Sequence, residues 1–223
     1  MGMAHGFMLW GMDIVTLLML LSGVFYLVCA LLLFRKVYKG KDELMWALFA
    51  FLVYQAINMF FMGIEMKTHN MMYSNIAAFA VLMGSVYMLK FPMSSLSKNI
   101  RQVAFVFSTI LVLGVFAYFM TSEALQMKLM NFTLWYDIFV NGIVVGGFML
   151  ALGLRAQERE VKIKALSGSS GVVSCCVAAN GAMIAGSMLT SSFFAFLAPL
   201  FILRTLSFKE KMEANSVPPN ENK

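Results

Sequence analysis

The chain has 223 residues, 61% hydrophobic and 13% charged, with 21 Met, 21 Phe and a formal net charge of +6. Soluble domains carry about 25% charged residues and about 45 to 50% apolar ones, and a soluble core of this size has no room for so many Phe and Met side chains. A water-soluble globular protein is therefore excluded, and so is a disulfide-stapled secreted module, because Cys29, Cys175 and Cys176 all lie inside apolar runs.

A bilayer core of about 30 Å needs about 20 residues of helix, and seven apolar stretches of roughly that length are bounded by charged or turn residues. In chain order they cover residues 10–34, 44–64, 73–89, 103–120, 134–154, 171–189 and 192–208. The fold class expected is all-α: a polytopic membrane bundle of seven transmembrane helices, with residues 1–208 as one domain. Residues 209–223 are expected to form a short polar cytoplasmic tail without order. The seventh stretch is interrupted by Pro199 and shortened by Arg204, so a tilted or half-length helix is its natural form. The first run is longer than a signal-peptide core, which predicts an uncleaved N-terminus.

Orientation follows from the basic residues. With the N-terminus outside and seven crossings, 15 of the 17 Lys and Arg residues fall on the cytoplasmic side, and only Lys67 and Lys128 lie outside. That asymmetry obeys the positive-inside rule and predicts a cytoplasmic C-terminus in a bacterial inner membrane. The basic residues are spread over separate loops without interleaved aromatics, so the net charge reads as a topology signal and predicts no nucleic-acid partner.

Several polar residues interrupt the apolar spans. Gln55, Asn58, Met62 and Glu65 recur at spacings of three, four and three, one face of a helix. Asp137 and Asn141 share a face four apart, and Asp13 and Thr16 are three apart. With the spans above, Asp13 and Asp137 fall about 5 Å below the outer boundary, and Asn58, Asn141 and Asn180 about 10 to 13 Å below it. Polar groups at such depths usually face a bundle interior or a wet cavity. One reading is an outward-facing vestibule with Asp13, Glu65 and Asp137 at its mouth and Gln55, Asn58, Asn141 and Asn180 deeper. The other is that the amides are interhelical hydrogen-bond glue and the carboxylates touch headgroup water.

Other patterns point to packing. Gly142 and Gly146 form a GxxxG, and Ser174, Ala178, Ala182 and Gly186 make a ridge of small residues every fourth position, which predicts a close helix pair. Residues 168–171 spell a GxSG string, but His5 and His69, the two histidines, lie far upstream, so no base serves a serine nucleophile. His5 and His69 each stand among methionines, a ligand set that suits a soft metal such as Cu(I). No span holds a histidine for haem or a central lysine for retinal, and no cofactor is expected. A short likeness between Leu9–Ile14 and Leu134–Ile138 fits two parallel three-helix repeats joined by an inverting fourth helix.

No catalytic constellation emerges, and the chain is not expected to be an enzyme. The function expected is a transporter or channel for a small solute or cation, where desolvation of a carboxylate would allow proton coupling. The alternative is a non-catalytic subunit or sensor module of a larger membrane complex. The expected partners are the lipid bilayer, a small solute or ion, and either further copies of the chain or other membrane proteins.

Overall fold

A computed structural model describes residues 8–9, 12–40 and 42–215. Apart from a two-residue antiparallel pair, Met8–Leu9 with Met12–Asp13, the architecture is helical. The helices are α1 (Ile14–Gly40), α2 (Glu43–Thr68), α3 (Met71–Met88), α4 (Lys98–Phe119), α5 (Glu123–Arg155), α6 (Arg159–Ile184) and α7 (Met188–Asn215). The first six are long and apolar enough to cross a membrane, which makes the chain a multi-pass membrane protein by length and composition. The seventh has a shorter apolar stretch, Met188–Ile202, with Pro199 inside it. It remains helical past residue 208, to Asn215, where a tail without order was expected.

Local chemistry sets the helix starts. Asp42 accepts from the Leu44 N–H at 2.9 Å, Asn70 from Met72 at 2.9 Å and Ser122 from Leu125 at 3.4 Å, each satisfying an amide that the first helical turn leaves unpaired. The link between α2 and α3 is only His69 and Asn70. His69 takes φ 52° and donates its N–H to the Glu65 carbonyl, so the chain reverses in two residues.

Two apolar cores form. Tyr26, Leu33, Phe51 and Leu52 anchor the larger one, with Val145, Val172, Cys176 and Ala198 contributed by α5, α6 and α7. The smaller one holds Ala78, Leu82, Val86, Val112 and Leu129 of α3, α4 and α5. Val112 is the one buried residue of α4, which stands at the edge of the bundle. Glu43 ties three helices at one end, pairing with Lys90 at 3.1 Å and Arg101 at 3.6 Å. These half-exposed pairs are worth little energy and serve mainly to set register.

The main departure from expectation is α5. It begins at Glu123 and runs 33 residues, about 50 Å of helix, whereas the apolar stretch suggested a start at 134. Residues 123–133 alternate Glu, Gln, Lys and Asn with apolar residues, and the alternation is helical. Asp137 therefore lies about 21 Å along the axis from the start of the helix, near the middle of α5.

Two segments depart from α geometry. Ile138–Val145 in α5 and Val173–Ala179 in α6 are π-helical and pack against each other. Their approach is close: a Cβ on Gly142 would lie 2.3 Å from Cγ2 of Val177, and one on Gly146 would lie 3.2 Å from Cγ2 of Val173. The expected small-residue contact exists at these two positions. It does not extend to Gly186, which lies beyond the end of α6 with φ +81° and nothing within 4 Å. Gly186 serves the left-handed exit from the helix, a role that needs no side chain.

Candidate functional site

The seam between the two cores is polar. Asp137, the last residue of α5 before its π stretch, is 2% exposed, and Asn141, one turn on, is 0% exposed. The Asn141 amide donates through Nδ2 to Asp137 Oδ1 at 2.5 Å and to Ser85 Oγ at 2.8 Å. Asn180, which opens the last α turn of α6, donates through Nδ2 to Asp137 Oδ2 at 2.7 Å. Ser85 on α3 has one hydroxyl proton and two acceptors in reach, the Val81 carbonyl at 2.9 Å and Asp137 Oδ1 at 3.4 Å. The Cys176 thiol lies beside the carboxylate, and Cys175 and Tyr26 of α1 continue the line away from it.

Among the described residues no Lys, Arg or His side chain pairs with Asp137. An ionisable group in that position is held by donors alone. Charge-assisted hydrogen bonds are the stronger kind, and they offset part of the cost of keeping an ionised side chain out of water. The site also has a loose end. Asn141 Oδ1 is buried with no hydrogen-bond partner, as are Gln55 Nε2 and the Tyr26 hydroxyl.

Beside the cluster is a cavity of about 30 Å³, to which Asn58, Thr133, Asn180 and Ser191 bring polar atoms between walls that include Met19 and Met62. That volume has room for about two water molecules. Asn180 belongs to both the cavity and the carboxylate cluster. A larger open groove of about 450 Å³ runs between α3, α4 and α5, apolar except for Asn75 and Gln126, which bond to each other at 3.3 Å.

The residues singled out from the sequence do not all meet. Asp137, Asn141 and Asn180 meet directly, and Asn58 joins them across the cavity while bonding Gln55 at 3.3 Å on its own helix. Asp13 is elsewhere: at the start of α1 it accepts from the Thr16 N–H and hydroxyl, both at 2.8 Å. The Thr16 N–H holds its carboxyl below the ordinary carboxylate value, with burial opposing. Glu65 is half-buried near the end of α2, whose start is capped by Asp42. His69 is exposed at the α2–α3 turn, and His5 lies outside the described residues. Among the described residues no three His, Cys, Asp or Glu side chains gather where they would hold a metal ion.

Comparison with protein families, with curated proteins and with solved structures finds no match. The chemistry of the site is therefore read from its own residues.

Four of those residues were not singled out from the sequence as site residues. Ser85 is a lone hydroxyl in a run of small and apolar residues, and no spacing marks it. Thr133 and Ser191 look like ordinary helix residues. Cys176 reads as an inert core thiol, although it stands four residues before Asn180 and so on the same helical face. That spacing was the available signal.

Proposed function

We propose that the protein is an integral membrane transporter or channel for a small solute or cation, in which Asp137 is the ion-responsive group. The observation that carries this reading is a carboxylate buried in mid-helix, with no basic partner among the described residues, held by side chains of three helices. Intramembrane carboxylates are rare because they are costly, and those that persist mark ion pathways and proton relays. Two π stretches bracket the site, a geometry frequent at functional positions in helices. The reading includes seven crossings, an external N-terminus and a cytoplasmic C-terminus in a bacterial inner membrane, with the charge asymmetry of the loops as its support.

The test is Asp137→Asn, which keeps shape and volume and removes the charge. The variant should insert and fold while losing solute flux or its pH response in proteoliposomes. Wild-type flux in a correctly folded Asp137→Asn protein overturns the assignment of Asp137.

A second reading, a non-catalytic subunit or sensor of a membrane complex, is favoured by α4. Its apolar surface, including Val103, Phe107 and Ile110, is exposed along the helix. Stoichiometric co-purification of a membrane partner from mild detergent, lost on placing polar residues at Val103 and Phe107, would support it.

A further inference from the structure

We propose that Ser85, Asp137, Asn141 and Asn180 form a binding site for a single proton, carried on the Asp137 carboxylate and exchanged through the cavity that Asn58 and Asn180 line. This names the coupling ion of the transport reading and rests on that reading for the use made of the proton.

The first argument is the direction of the hydrogen bonds. Both amides present N–H groups to the carboxylate, Asn141 at 2.5 Å and Asn180 at 2.7 Å. A hard cation such as Na⁺, Mg²⁺ or Ca²⁺ requires oxygen ligands, and an amide nitrogen supplies none. Turning either amide over would set its carbonyl against a carboxylate oxygen at the same short distance, which is repulsive unless the carboxyl carries a proton. Amide orientation and protonation are thus locked together.

The second argument is the unpaired acceptor. Asn141 Oδ1 is fully buried and has no partner. A half-turn of the Asn141 amide would offer this carbonyl to a protonated Asp137, while Nδ2 takes the place that Oδ1 leaves. In that state the O–H on Asp137 donates to Oδ1 of Asn141. The reaction is balanced by water alone: a hydronium in the cavity gives up its proton, an O–H bond forms on the carboxylate, and a water molecule remains.

The third argument is size. A cavity of about 30 Å³ admits water molecules and no hydrated cation. From α2, α3 and α7 the polar side chains turned to the site and its cavity are Asn58, Ser85 and Ser191, none of which titrates near neutrality. The titratable neighbours are Cys176 and Cys175 on α6, Tyr26 of α1 beyond them, and Tyr136 on α5 itself. Asp137 is the only carboxyl among them.

The experiment is infrared difference spectroscopy of the full chain in proteoliposomes, with 13C-labelled aspartate to separate Asp from Glu bands. The expected result is a protonated-carboxyl C=O band that grows as pH falls, is lost in Asp137→Asn, is kept in Asp42→Asn and does not respond to exchanging Na⁺ for choline. Asn180→Ala keeps the carboxyl and removes one donor, so it should shift the midpoint of the titration, which serves if Asp137→Asn fails to insert. A band that survives Asp137→Asn, an unshifted midpoint in Asn180→Ala, or displacement of the band by Na⁺ at constant pH overturns the proposal. Absent flux alongside an intact, titrating Asp137 band rejects the transport reading and leaves the proton site standing.

Discussion

Asn180 and Asp137 stand 43 residues apart in the chain and 2.7 Å apart in the fold. Their bond joins α6 to α5 directly beside the two π stretches, and Asn180 also lines the water-sized cavity. Any motion of α6 against α5 must break or carry this bond. The hydrogen bonding of Asp137 is thereby linked to the packing of the helix pair.

The amides around Asp137 should differ in energetic weight. Asn141→Leu removes two hydrogen bonds, one to a carboxylate, and should lower stability by about 1.5 to 3 kcal/mol, the range for bonds to charged groups. Asn58→Leu removes a neutral bond to Gln55 and should cost about 0.6 kcal/mol, the average for such bonds in membranes. Reversible unfolding in mixed micelles measures both, and equal losses would contradict the special standing of the carboxylate.

Gly142 and Gly186 should respond to substitution for opposite reasons. Gly142→Ala sets a methyl against Val177, whose branched side chain cannot swing away, so a loss of about 1 to 3 kcal/mol is expected. The double variant with Val177→Ala should recover most of it. Gly186→Ala meets no neighbour but must hold φ +81°, at about 1 to 2 kcal/mol, and Gly186→Asn should cost less. Thermal melts of these four proteins and of Gly186→Ala combined with Val177→Ala check the pattern, the last showing no rescue.

Asp13 gives a pH dependence whose sign is fixed. Its carboxyl is held below the ordinary value of 3.8 by the Thr16 N–H, so its contribution is fully present above that value and is lost as pH falls through the lowered one. Asp13→Ala should reduce stability at neutral pH by about 1 kcal/mol, as for other lost helix caps. The melting difference from wild type should shrink toward zero in acid. A difference independent of pH would mean that the charge of Asp13 is immaterial to the cap.

The sequence carries the helices well because lipid demands long apolar runs, and it carries the pairing of Asp137 with Asn141 because a spacing of four survives as one helical face. Helix boundaries were harder. The start of α5 is amphipathic, and apolar length alone does not mark residues 123–133, so the helix begins eleven residues before its apolar stretch. Gly186 continues the four-residue rhythm of Ser174, Ala178 and Ala182, yet the helix stops before it, and rhythm alone does not report a left-handed backbone. Ser85 enters the site only because α3 and α5 lie side by side, a relation that no local pattern encodes. The π stretches are equally silent, since a period of 3.6 residues per turn carries no mark of a wider turn.

Those stretches bear on how the chain tolerates change in length. Deleting one residue from a regular transmembrane helix rotates every later side chain by about 100°, which scrambles a whole packing face. A π turn already holds more residues than the α turn it replaces, so a deletion within 142–145 or 173–175 can be absorbed by tightening to α geometry, with the flanking faces kept in register. The chain thus keeps its slack in length at the two places that frame Asp137. Insertions and deletions there would retune the site and leave the rest of the bundle in place.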